Sequence, residues 1–191
     1  MMQPHNVTDF WLHEITPEQW YVQDDALDAQ ITEKFSHYWQ AAHAGQLKSW
    51  TSHPDHILAY IILCDQFPRN MFRGRDLAFA TDAKARMAAK TAIMKNWDLR
   101  VETELHRQFF YLPLMHSENQ CDQNRCVRLM VERMPTHLDQ HLNHARAHRE
   151  IIRKFGRFPY RNAALGRGDT VVEAAFLQTN GYQETLNSLA T

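Results

Sequence analysis

Two proline-containing segments of this sequence carry acid, amide and arginine side chains in a similar order. The first corner (residues 65–73) reads DQFPRNMFR, and the second corner (residues 157–168) reads RFPYRNAALGRG. A guanidinium group presents a planar set of donors that binds a carboxylate or phosphate through two parallel hydrogen bonds. The two corners therefore predict a site for a small anionic ligand. The residues predicted to bind this ligand are Asp65, Gln66, Arg69, Asn70, Arg73, Arg157, Arg161 and Asn162.

A structural role for the arginines is the alternative interpretation. Basic side chains near the carboxyl end of a helix donate to its last carbonyl groups. They also pair with nearby acids, and Asp65 and Asp82 are the candidates that the sequence offers. The residue types alone leave both interpretations open.

Three further side chains suggest acid and base catalysis: His116, Glu118 and His148. Imidazole titrates near neutral pH, and a neighbouring carboxylate orients it. Ser117, between the first two, is explained as a helix cap that pairs with Gln120 three residues later. The alternative for His116 and Glu118 is a surface histidine beside a glutamate in the first turn of a helix.

Four histidines, at positions 137, 141, 144 and 148, follow each other at helical spacing. Two imidazoles on one helix edge can bind a transition metal, but a zinc site needs a third and usually a fourth ligand. Histidines beside an apolar stripe are more often residues at the boundary of the core. The sequence therefore predicts neither a metal site nor a bound cofactor.

The elements that must position these side chains are helices. Between Thr136 and Gly156, apolar residues such as Leu142, Ala145 and Ile152 recur at the spacing of one helix face, so this face is expected to pack against a core. Gly156 favours the left-handed conformation that ends a helix, and Pro159 prevents the helix from continuing.

The remaining helices are predicted from caps and apolar spacing. They are expected at Asp24–Ala44, Pro54–Phe67, Asp76–Lys95, Glu102–Tyr111 and Ser117–Met134, followed by a short helix that Thr170 and Glu173 cap. The helix before the first corner is apolar on all sides, which is typical of a buried position. Since no alternating strand pattern of sufficient length occurs, the sequence predicts an all-α fold. A chain of 191 residues fits a single domain, residues 1–191.

Charge is unevenly distributed although the net charge is only -1. Acidic residues predominate before Lys34, and arginines predominate from Arg125 to Arg167. An electropositive region attracts carboxylates, phosphates or nucleic acid, unless it pairs with the acidic part of the chain. Nucleic acid is not an expected partner, because the arginines lack interleaved aromatic residues and a recognisable binding module.

The cysteines and the apolar runs predict a cytoplasmic location. Three cysteines and no segment resembling a signal peptide indicate reduced thiols in a reducing compartment. The longest apolar run, from Ile57 to Cys64, has roughly half the length needed to cross a bilayer, so no membrane association is expected. The oligomeric state cannot be predicted from the sequence.

Three motifs resemble those of a widespread uncharacterised bacterial family, catalogued as domain of unknown function 924. They are residues 65–70, residues 116–118 and residues 148–162, and the likeness extends from Asp9 to Phe176. The resemblance implies an all-helical, tetratricopeptide-like fold of stacked antiparallel helical hairpins, and no activity. Tyr160 departs from the family, which usually has histidine there. The positions that match the polar signature of the family are the eight predicted ligand-binding residues together with His116, Glu118 and His148.

The sequence thus supports three hypotheses about function. The first is a pocket for a small anionic molecule or peptide, lined by Arg, His, Asp and Glu from both corners, in which acid and base catalysis is left open. The second is a tetratricopeptide-like scaffold that binds a peptide or a partner protein. The third is a polar network with a purely structural role.

Overall fold

All regular structure in residues 2–189, the range that the computed structural model describes, is helical. Within that range there is no strand, which confirms the predicted all-α class. The side chains of residues 137–140 are outside the description, so the histidine stripe can be followed only from His141 onward. No helix in the described range is both long and apolar enough to cross a membrane.

The chain forms eleven α-helices within residues 2–189, joined by short 3-10 turns and one π-helix at Phe10–Glu14. They are α1 (Pro4–Asp9), α2 (Asp25–His43), α3 (Pro54–Asp65), α4 (Phe67–Met71), α5 (Asp82–Met94), α6 (Glu104–Arg107), α7 (Leu112–Met115), α8 (Gln120–Arg133), α9 (Leu138–Phe155), α10 (Val171–Gln178) and α11 (Gly181–Ser188). Their contacts divide the chain into two compact units, unit 1 (Met1–Glu102) and unit 2 (Thr103–Thr191). A single domain and a tetratricopeptide-like stack therefore stay predictions.

Unit 1 is built around α3. Every residue from Ile57 to Asp65 is buried, as the apolar sequence on all sides of this helix predicted. Close packing of α3 against α5 is possible because α5 presents alanines, including Ala85 and Ala89, which are fully buried. Three aromatic rings pack together near the start of α4. The ring centroid of Phe35 lies 5.1 Å from that of Phe10 and 4.8 Å from that of Phe67.

Unit 2 is built around α9, which packs against α8 and α11. The apolar face that the sequence predicts is buried at Leu142, Ala145 and Ile152. The helix ends before Gly156, whose φ of +71° lies in the left-handed region. Phe158, fully buried, then returns the chain to the core formed by the end of α9 and by α10.

Two of the predicted helix starts are wrong. Ser117 does not cap α8: its buried hydroxyl donates to Asp122 at 2.8 Å, and the cap is Asn119, which accepts from the amides of residues 121 and 122. The helix predicted from Asp76 is divided, because residues 76–79 form a 3-10 turn and α5 begins only at Asp82. At the first of these starts, the hydroxyl that was expected to cap the helix donates to the Asp122 carboxylate instead.

Candidate functional site

The first corner is held together by ion pairs within unit 1. Pro68 lies in the first turn of the short helix α4, where the missing amide costs nothing. Arg69 on this helix binds both carboxylate oxygens of Asp82, at 3.1 and 3.2 Å, and donates to the carbonyl of Ala78 at 3.0 Å. Its guanidinium also lies 3.5 Å from Asp65. Arg69 thus pairs with both of the acids that the sequence offered as structural partners.

Asp28, on α2, gathers the other polar side chains of this corner. It accepts from the Asn70 amide at 2.8 Å and from the Arg73 guanidinium at 2.5 and 2.8 Å. Gln66 donates to the buried carboxylate of Asp65 at 2.5 Å. Each of the five ligand-binding residues predicted in the first corner therefore has a partner inside unit 1. Whether any of them also contacts a ligand stays a prediction.

In the second corner, Arg167 and Glu118 form a bidentate ion pair between residues 49 apart in the chain. The two N–O distances are 2.7 and 2.9 Å, and one carboxylate oxygen also accepts from the Phe158 amide at 2.8 Å. Burial raises the pKa of Glu118, but these hydrogen bonds and the positive charge of Arg161 outweigh it, so the pKa is lowered. Glu118 is thus a carboxylate engaged on both oxygens, which favours an anchoring role.

Asn162 and Arg157 complete the second corner. Asn162 accepts from the Nε of Arg167 at 2.9 Å and donates to Asp169 at 2.7 Å. Arg157 binds both oxygens of Glu173, at 2.6 and 2.7 Å. Glu173 belongs to the predicted capping box of α10, whose reciprocal hydrogen bonds are present. Its pKa is held well below the usual range by Arg157 and by the amide of Thr170.

His148, on α9, lies beside this corner and has a defined tautomer. Its Nδ1 is 2.8 Å from the carbonyl oxygen of His144. A carbonyl only accepts, so Nδ1 carries the proton and Nε2 keeps a lone pair. Burial, reinforced by the charges of His116 and Arg161, lowers the pKa of His148 to about 3, so the imidazole is neutral. The residue is only partly buried, so solvent reaches it.

Phe158 packs against both His148 and Arg161. Its ring centroid is 5.4 Å from that of His148, and the guanidinium carbon of Arg161 lies over the ring at 4.5 Å. The His116 and His148 centroids are 6.3 Å apart. We call these four residues the histidine–arginine cluster. The structure thus brings together three of the predicted site residues, His116, His148 and Arg161, and Phe158 contacts the last two.

The part of the sequence that includes the histidine–arginine cluster matches a known protein family. Residues 7–181 match a family described as bacterial protein of unknown function (DUF924). The chain belongs to this family. Among solved structures, the DUF924 chain is similar to a protein of unknown function from Agrobacterium tumefaciens, with a TM-score of 0.85 and 37% identity. The match covers 92% of this chain and 97% of the other. The comparison with curated proteins finds no match.

Two residues near the DUF924 signature positions were missed from the sequence. Asp28 is one of them. It lies three residues before the buried Ile31 and so on the same face of the helix, which was a signal that its side chain points toward the core. Tyr182 is the other. Its ring packs edge-to-face against that of His148, with the centroids 5.2 Å apart, and its hydroxyl lies 2.7 Å from Nδ1 of His144. No sequence signal pointed to Tyr182, since the helix that carries it was not predicted.

The histidines and cysteines of the chain are the remaining residues with metal or thiol chemistry. Among the residues that the structure describes, no three histidine, cysteine or acidic side chains lie in a group that could hold a metal ion. Cys64 and Cys126 are buried, which raises the pKa of each thiol well above its usual value, and Cys121 is exposed.

Proposed function

We propose that unit 2 of this DUF924 protein binds a small anionic molecule at the histidine–arginine cluster. Arg161 supplies the positive charge, and His148 accepts a hydrogen bond or a proton from the ligand. The observation that carries the proposal is the neutral, partly exposed imidazole of His148, with its Nε2 lone pair, packed with a buried arginine around Phe158.

Electrostatics at the cluster supports an anionic ligand. Arg161 is only 7% exposed, so its charge acts in an environment where interactions are stronger than in water. The charge disfavours protonation of His148. An anion bound there would offset this repulsion and raise the pKa of His148, so anion binding and proton uptake are coupled.

The tautomer of His148 narrows the ligand chemistry. A lone pair on Nε2 accepts from a hydroxyl and repels a bare oxyanion. The ligand therefore carries a donor beside its anionic oxygens, as a monohydrogen phosphate or a hydroxy acid does. If the ligand is a substrate, His148 is the group that takes its proton, and the raised pKa of the bound state favours this transfer.

The ion pairs give the two corners a structural part in this proposal. We assign Arg69, Arg73 and Arg157 to holding helices together, because each of them already binds two carboxylate oxygens of its own unit. Such pairs fix geometry more than they add stability. Convergence of the corners on one cavity and peptide binding by a scaffold stay predictions.

Calorimetric titration with inorganic phosphate tests the proposal. The wild type is expected to bind phosphate. At a pH between the pKa values of His148 in the free and bound states, it should also take up a proton, detected as a dependence of the heat on the ionisation enthalpy of the buffer. Arg161→Met keeps a stem over Phe158 and removes the charge, so phosphate binding should weaken by about tenfold or more. His148→Gln should abolish the proton uptake.

Surface arginines provide the control for this experiment. Arg128→Met removes a charge whose side chain is 65% exposed, and it should leave binding and proton uptake unchanged. Near-ultraviolet circular dichroism shows whether the Arg161 variant is folded. A pKa of His148 that phosphate leaves unchanged in the wild type, or unchanged binding in a folded Arg161→Met variant, would contradict the proposal.

A further inference from the structure

Unit 1 contains an open cleft of about 350 Å³ between the turn after α2 and the helix α5. Lys48 and Lys84 line it, together with Ser52 and the exposed side chain of Met87. None of its lining residues is acidic. The cleft therefore has a positive charge and no internal anion to balance it.

Two other cations of unit 1 form ion pairs within the described residues, unlike Lys48 and Lys84. Lys34 pairs with Glu14, and Arg100 pairs with Asp55. Lys48 and Lys84 form no ion pair with any residue of the described range 2–189. The positive charges of two lysines that line one cleft repel each other, and an anion bound between them offsets this repulsion.

Local structure holds both lysines at the cleft. Lys48 follows the turn at Gly45, where φ is +78°, and its Cε would lie 3.7 Å from a Cβ added to that glycine. Lys84 is half-buried in the first turn of α5. Its charge opposes the rise in pKa that burial causes at the thiol of Cys64 on α3. The stem of Lys48 therefore passes close to Gly45, and the half-buried Lys84 approaches the cleft from α5.

We propose that this cleft is a second anion site, which binds a phosphate-bearing small molecule between Lys48 and Lys84. The hydroxyl of Ser52, which is exposed, supplies a further donor. A phosphate with two negative charges interacts with both ammonium groups, whereas an acetate ion has one charge to share. The site has its own residues in unit 1 and does not depend on the histidine–arginine cluster.

A methionine in the cleft allows binding to be observed locally. Met87 lines the cleft and is 70% exposed, while Met94 on the same helix is 71% exposed and does not line it. With methyl-labelled methionine and inorganic phosphate at constant ionic strength, the NMR signal of Met87 should shift in a saturable manner. The signal of Met94 should stay in place. Acetate should bind about tenfold more weakly than phosphate.

Variants of the lysines identify the donors. Lys48→Gln and Lys84→Gln should each weaken phosphate binding by about tenfold. Lys95→Gln is the matched control, because Lys95 lies over the ring of Trp97 at 4.3 Å, outside the cleft, and it should bind like the wild type. Equal shifts of Met87 and Met94, no preference for phosphate over acetate, or wild-type affinity in the double lysine variant would each overturn the proposal. Proton uptake at His148 is read separately, so either anion site can fail without the other.

Discussion

Replacing Glu118 by glutamine tests whether this residue anchors the second corner. The carboxylate accepts two hydrogen bonds from Arg167 and one from the Phe158 amide. A glutamine keeps the shape but turns an NH₂ group toward one of these donors and leaves the Arg167 charge without its partner. Removing one partner of a buried ion pair costs about 3–5 kcal/mol.

Because the Arg167–Glu118 pair is partly exposed, the expected loss of stability is smaller than for a fully buried pair. The side chains of Arg167 and Glu118 are 23% and 27% exposed, so water compensates for part of the lost interaction. We therefore expect Glu118→Gln to lower the free energy of unfolding by about 2–3 kcal/mol. For a chain of this length the melting temperature should fall by about 5–10 °C.

Urea denaturation, followed by circular dichroism, measures this loss directly. Glu132→Gln is the matched control, because Glu132 forms an exposed pair with Arg128 at 3.8 Å and should change stability by less than about 0.5 kcal/mol. If Glu118→Gln is no more destabilising than this control, the bidentate pair does not hold the corner, and the anchoring role of Glu118 is wrong.

Two further predictions concern stability. The pKa of His148 is about 3 in the folded protein and about 6.5 in an unfolded chain. Between about pH 6.5 and pH 3 the unfolded chain therefore binds one more proton than the folded protein, so the free energy of unfolding falls as the pH falls. We expect the free energy of unfolding to fall by about 1 kcal/mol per pH unit, which is less than the full linkage value because the imidazole is partly exposed. In His148→Gln, the urea midpoint should depend less on pH. Gly156→Ala places a side chain at a φ of +71°, so the melting temperature should drop by an amount equivalent to about 1–2 kcal/mol. At Gly168, which has no positive φ, the same substitution should be close to neutral, and equal effects at the two glycines would contradict the conformational explanation.

Local signals in the sequence predicted most of the fold. The apolar run before the first corner, the glycine at 156 and the capping box at Thr170 and Glu173 each depend on neighbours a few residues away, and the structure confirms all three. Ser117 failed as a cap because Asn119, two residues later, is an equally good capping residue. Only the packed structure shows that the serine hydroxyl is used by Asp122.

The candidate site was predictable in its residue types and in the partners of Arg69, but not in its long-range pairings. His116, His148 and Arg161 could be named because their side chains are suited to chemistry. The partners of Arg73 and Arg167 lie far away in the chain: Asp28 is 45 residues from Arg73, and Glu118 is 49 residues from Arg167. No local pattern encodes such contacts, since they arise when helices pack. Sequence reasoning therefore could not assign the partners of these two arginines.

The pKa of the His148 imidazole, measured by NMR with and without inorganic phosphate, tests the central claim most directly. Without phosphate it should lie far below the ordinary value of about 6.5, and phosphate should raise it in the wild type but not in Arg161→Met. A pKa near the ordinary value that phosphate leaves unchanged would contradict an anion site built on His148 and Arg161.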